Sequence, residues 1–250
     1  MPVHEPHARG PDPLREEPVP YGRDASLDAA VLPPARGAHT AVMSPNGPAW
    51  RNTTHDWART VDVDHLRHIR RHADAYAPGG TAHLILEVMA YAADEAESLH
   101  GGRCRVTLHR DGSVSVTDNG RGTDTRFDEH GQPVRKPVMA TKDLRFFDRP
   151  APPLLPDGHP RRGMSVVAAL STWLVHTNRR GNGSWTQHYA HGIPTTDLVP
   201  IASGTVSGTT VRFRPDPSLS GLGGTFVEEL THVTEHWPRL TVEVGDDRPT

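Results

Sequence analysis

The chain has little that would fix it by covalent staples or set it in a membrane. It carries a single cysteine, Cys104, so no internal disulfide can form. Cys104 lies on the inward side of an alternating run, where a small buried hydrophobe is expected rather than a nucleophile. No apolar run approaches the roughly 18 residues a spanning helix needs. The first residues, MPVHEPHARGPDP, lack the apolar core of a secretion signal. Charge of one sign is also missing. The net charge is −3 in 250 residues, with no electrostatic footprint for nucleic acid or an anionic membrane. These absences lead us to expect a cytoplasmic protein with neither a membrane nor a nucleic-acid partner. Lysine is scarce beside Arg, Ala, Gly and Pro, a bias typical of high-GC bacterial genomes.

Residues 1–60 hold ten of the 24 prolines and little apolar periodicity. Such a segment is expected to be an extension, partly disordered or packed on a partner. Ser26–Leu32 and Ala49–Trp57 are the stretches within it suited to packing. Residues 61–250 are long enough to bury a core and are read as the folded domain.

What the chain does have is centred on Leu84–Gly122. From Leu84 to Leu99 apolar residues recur at helical spacing, and Glu87, Tyr91 and Asp94 share one helix face. Gly101-Gly102 is the expected left-handed stop. Cys104, Val106 and Leu108 then alternate with polar residues, Asp111-Gly112 is a hairpin turn, and Val114, Val116 and Asp118 share a strand face. Asp118 therefore leaves the core side of a sheet just where Asn119-Gly120-Arg121-Gly122 begins, opposite the helix that carries Glu87. That is the floor of a pocket.

Glu87-x-x-x-Tyr91 with Asp94-Glu95, followed by Asp118-x-Gly120-x-Gly122, resembles the ATPase domain of gyrase B and its topoisomerase relatives. That domain belongs to the GHKL superfamily, with heat-shock chaperones, histidine kinases and MutL. Gly163–Ser171, His191–Pro194 and Gly208–Phe213 follow in the family's order. The resemblance covers roughly Val61 to the C-terminus. It implies an α+β fold, a two-layer α/β sandwich with a mostly antiparallel sheet and helices on one face.

The resemblance also implies roles. Glu87 would be the general base that activates water, Asp118 would hold the adenine amino group, and Thr209 would assist through a water. Gly120 and Gly122 would border the ligand, and Arg121 would pair with Glu95 behind the adenine. The family's ATP lid would lie in Gly158-His159-Pro160-Arg161-Arg162-Gly163, where arginine replaces the central glycine and Pro160 removes an N–H donor. Arg161 and Arg162 are read either as phosphate binders by charge or as solvated loop residues, and Gly163 opens a buried helix toward the pocket. The family has asparagine where this chain has Tyr91, and that asparagine holds the Mg²⁺ bridging the phosphates. A neutral phenol is a poor ligand for Mg²⁺. The preceding aspartate is Ala90. No metal ligand set is assigned, ATP or ADP is the cofactor the resemblance allows, and Mg²⁺ is disfavoured.

Three readings follow. The first is a degenerate, stand-alone module that binds an adenine nucleotide or related small molecule and regulates. The second is a pocket repurposed for acid–base chemistry or cyclisation in natural-product biosynthesis, with Glu87 and Tyr91 catalytic, Asp118 opposite them taking part, and Met89, Tyr91, Val138 and Met139 forming a dry lining. The third is an active ATPase. A topoisomerase is not expected, because the sequence ends after the domain's final strand. A homodimer through the N-terminal extension is a further expectation, by analogy with the arm of gyrase-like domains.

Elsewhere, Asp62–Ala75 reads as a helix whose His65, His68 and His72 form a solvated face. Val138–Phe147 is expected as a short helix, and Pro150–Arg162, with five prolines, as irregular chain. Gly163–Thr172 is read as a helix and Arg179–Gly183 as a hairpin turn. Gly208–Arg214 is a strand, Gly224–Trp237 a helix and Leu240–Val244 a last strand. His232-Val233-Thr234-Glu235-His236 matches the inverted zinc-peptidase signature, and we read it as a chance match on a solvated face.

Overall fold

The computed structural model describes residues 61–249 apart from 128, 132, 135, 136, 148, 203, 224, 225, 233 and 234. The expectations for residues 1–60, including a dimer arm, therefore lie outside the described residues, as does the middle of the zinc-peptidase-like match.

Asp62 caps the first helix, α1 (Val63–Arg71), by accepting the His65 N–H at 3.0 Å. The single helix expected here breaks at His72, and α2 (Ala73–Tyr76) follows as one turn. The long helix α3 (Thr81–Leu99) contributes Leu84, Ile85 and Met89 to the core, all fully buried. Its left-handed stop is His100, φ 62°, not a glycine; the Gly101 N–H closes back onto the Ala96 carbonyl at 2.8 Å.

The chain then enters β1 (Gly102–Leu108) and β2 (Val114–Asp118), passes a small ribbon of β3 (Arg126–Phe127) and β4 (Pro133–Val134), and reaches α4 (Met164–Ala169). After α4 come β5 (Ser171–Arg179), β6 (Trp185–Ala190), β7 (Ile193–Pro194), β8 (Val199–Pro200) and β9 (Gly208–Pro215). Helix α5 (Phe226–His232) and β10 (Leu240–Asp246) complete the domain.

The main sheet runs β10-β1-β2-β9-β5-β6-β7, with β8 also on β6. The pairs β1–β2, β2–β9, β5–β9 and β5–β6 are antiparallel, and β1–β10 is parallel. Period-two alternation separates its faces. Cys104, Val106, Leu108, Val114, Val116, Leu174, Val211 and Phe213 are buried and share one core with α3 and α4. Arg103, Arg105, Thr117 and Arg214 are exposed. This is an α+β sandwich with an open mixed sheet, as the hairpin and helix patterns predict.

Three local expectations fail for identifiable reasons. Val138–Phe147 forms only a 3₁₀ turn, Pro137–Met139, because the Asp143 carboxylate takes the Arg145 N–H at 3.0 Å and favours a turn over a helix. The helix after Gly163 ends at Ala169, and the chain goes straight into β5. His65 is not on a solvated face. It is 5% exposed, 3.0 Å from the Ser165 hydroxyl and edge-on to Phe147.

Candidate ligand-binding cleft

A cleft of about 210 Å³ opens between α3 and the sheet. Helical spacing puts Val88, Tyr91, Ala92 and Glu95 of α3 along one wall. The sheet supplies Val116 and Asp118 from β2 and Thr209 and Val211 from β9. Val138 and Met139 of the 3₁₀ turn, with Met164, close one side. The row Trp185, Gln187 and Tyr189 on β6, with His176 on β5, lines the cleft as well. Sequence reasoning identified those two strands but missed that they border the cleft. The signal was the period-two row Trp185-x-Gln187-x-Tyr189.

Asp118 sits at the cleft wall with both oxygens engaged. Oδ1 accepts the Gly120 N–H at 2.8 Å, and Oδ2 accepts the Thr209 hydroxyl. The fold thus brings Asp118, Gly120 and Thr209 together. Gly208 permits this closeness: at φ +139° it lies against the Asp118 carbonyl oxygen, where a Cβ would collide. Gly122 also lines the cleft, at φ +72°, and a Cβ there would meet the Arg179 carbonyl at 2.5 Å. Arg121 and Glu95 form a bidentate pair at 2.6 and 2.9 Å, which holds the Glu95 carboxyl below its usual range. The fully buried Asn178, unremarked in the sequence, fixes the loop. It accepts the Thr123 N–H at 2.6 Å and donates to the Thr123 and Gly183 carbonyls.

The face carrying Glu87, Tyr91 and Asp94 exists as predicted, but most of it meets segment 161–163. Glu87 is 0% exposed and does not line the cleft. Its Oε1 accepts the Arg162 N–H at 2.5 Å and its Oε2 the Gly163 N–H at 2.8 Å. His83 lies 3.6 Å from Glu87 and bonds Asp157 at 2.6 Å. Tyr91 donates its hydroxyl to Asp143 at 3.1 Å, and Arg161 stacks 4.6 Å over its ring. Burial and the Asp143 charge push the phenol well above its ordinary range, so it stays neutral.

Arg161 is neither solvated nor turned into the cleft. It is buried and paired to Asp94 at 3.1 and 2.8 Å. Arg162 and Gly163 do not line the cleft either; their backbone N–H groups are the ones committed to Glu87. Met89 belongs to the core, at 0% exposure, whereas Tyr91, Val138 and Met139 do line the cleft. Cys104 is buried, and desolvation pushes its thiol up to about 12. Among the described residues, no group of His, Cys, Asp or Glu is arranged to hold a metal.

No family model matches the chain. Over 142 residues it is 35% identical to the DNA topoisomerase 4 B protein of Staphylococcus epidermidis, covering 56% of this chain and 21% of that one. It is 37% identical over 141 residues to the DNA gyrase B protein of Thermotoga maritima, covering 56% and 22%. With the DNA gyrase B protein of Archaeoglobus fulgidus it shares 33% identity over 186 residues, covering 71% and 29%. The chain is a gyrase B relative with a GHKL-type domain. It spans between 21% and 29% of the length of these three curated relatives.

The group that a GHKL domain implies is Mg–ATP, and its two ends fare differently against the side chains of this gyrase B-like domain. The adenine end fits. Asp118 still has lone pairs for a donor, between apolar walls of Val88, Val116 and Val211. The metal–triphosphate end does not fit. Tyr91 offers a phenol already donated to Asp143, and the Arg162 and Gly163 N–H groups already serve Glu87.

Proposed function

We propose that this gyrase B-like domain is a small-molecule binding module. It holds an adenine-type ring against Asp118 and does not hydrolyse Mg–ATP. The observation that carries this reading is the capping of Glu87. A general base needs a carboxylate oxygen free to take a proton from water beside the reacting phosphate. Glu87 is 0% exposed, lies outside the cleft lining and is covered by the two backbone N–H groups it accepts, so no water beside a cleft-bound phosphate reaches it. Phosphoryl transfer depends on positioning and on the metal, and the segment that would cradle phosphates is tied to α3. The module would act by binding, as a bacterial, cytoplasmic regulatory part.

A second reading, an enzyme for acid–base chemistry on a natural-product intermediate, draws support from Tyr91. Its neutral phenol stands at the wall of a largely apolar cleft, with Asp143 behind it. It predicts no affinity for adenine compounds.

The test is calorimetric titration of the full chain with ADP and a non-hydrolysable ATP analogue, with and without Mg²⁺, beside a phosphate-release assay. The expected result is binding that Mg²⁺ leaves unchanged and no phosphate release above blank. Release that disappears in Glu87→Gln would establish an active ATPase and overturn the proposal.

A further inference from the structure

We infer that the cleft selects a flat, phosphate-free heteroaromatic amine, neutral or protonated, and disfavours phosphorylated forms of the same ring. This deepens the proposed function and rests on it.

The first ground is the charge of the lining. Glu95 and Asp118 are the carboxylates at the cleft, and no lysine or arginine lines it among the described residues. Arg121 pairs with Glu95, so the like charge a phosphate meets is chiefly that of Asp118, and no cation of the lining offsets it.

The second ground is that most donors in and beside segment 161–163 are committed to carboxylates of this chain. Arg161 gives two bonds to Asp94, and Arg145 gives two to Asp143. The Tyr91 hydroxyl goes to Asp143, and the Arg162 and Gly163 N–H groups go to Glu87. A phosphate on this side must displace a carboxylate that is already hydrogen-bonded. Glu87 and Arg161 are buried, so either one left unpaired is costly. The anion positions at the Arg162 and Gly163 N–H groups and at Arg161 are thus filled by the protein's own acids, while the Arg162 guanidinium lies against the Phe146 carbonyl and the Phe147 ring and does not line the cleft.

The third ground is the donor edge. A carboxylate has about four lone-pair positions. Asp118 uses one for Gly120 and one for Thr209, which leaves room for two N–H donors side by side. An amino group beside a ring N–H, or an amino group alone, meets that demand. Val88 and Ala92 of the helix layer and Val116 and Val211 of the sheet layer line the slot, which suits a flat ring.

The experiment is calorimetry on the full chain with adenosine, AMP, ADP and ATP as probes, at low and high salt, with and without Mg²⁺. Adenosine is expected to bind at least about tenfold more tightly than ADP, the gap narrowing as salt screens the carboxylates and Mg²⁺ failing to close it. Asp118→Asn is expected to lower adenosine affinity at least about tenfold, with its urea midpoint measured to show that it is folded. ADP or ATP binding as tightly as adenosine, without phosphate release, overturns this inference and leaves the proposed function standing. Mg²⁺-dependent ATP binding with phosphate release overturns both. Adenosine affinity unchanged in folded Asp118→Asn overturns the donor-edge assignment.

Discussion

His83 is the most exacting test of the tie between α3 and the loop before α4. Its side chain is 1% exposed, with Nδ1 2.6 Å from Asp157 and Nε2 3.6 Å from Glu87. Burial by itself opposes the charged ring, but the hydrogen bond to Asp157 and the nearby Glu87 carboxylate outweigh it and lift the pKa from 6.5 to about 9. A raised pKa means that the folded state holds the proton more tightly than the unfolded chain. The stabilisation is therefore complete below pH 6.5 and lost as pH rises through 9. At about 1.4 kcal/mol per pH unit the full effect is about 3 kcal/mol, of which roughly 2 kcal/mol disappears between pH 7 and pH 9. Urea unfolding of the full chain at pH 6, 7, 8 and 9 measures it. The wild type should lose stability across that range, and His83→Gln should be less stable at pH 7 and nearly flat from 7 to 9. Equal slopes in the two proteins would refute the ion-pair account of this loop.

Other predictions follow from neighbouring geometry. His65 is held down to about 4, first by burial, so its contribution is present above pH 6.5 and lost as pH falls toward 4. His65→Gln should flatten that acid limb in the same urea experiment. Gly208→Ala drives a Cβ into the Asp118 carbonyl and should cost more than about 1 kcal/mol in thermal unfolding while weakening adenosine binding. Tyr91→Phe removes the hydroxyl bond to Asp143 and should cost about 1 kcal/mol by the same measurement. The Cys104 thiol, raised to about 12 by burial, should be inert to a thiol reagent in the native protein and react fully in urea.

Periodicity and turn chemistry made much of this domain legible. The 3.6-residue spacing of Leu84–Leu99, the alternation on either side of Asp111-Gly112 and the Asp118-x-Gly120-x-Gly122 run depend on local rules, so the helix, the hairpin and the Asp118 end of the cleft could be read from residue order. Even the sharing of one helix face by Glu87, Tyr91 and Asp94 was a matter of spacing. What that face would meet was not. Residues 161–163 lie some 70 positions away in sequence, and only the folded chain brings their N–H groups onto Glu87 and Arg161 onto Asp94. The β6 row that borders the cleft was visible as a strand, but its place next to β5 is a matter of sheet order. Residue order alone thus determined which side chains could act together. Tertiary packing decided that the carboxylate suited to be a base takes backbone N–H groups of residues 162 and 163 and that Arg161 takes Asp94, because a buried charge must find its partner in the fold when water is excluded.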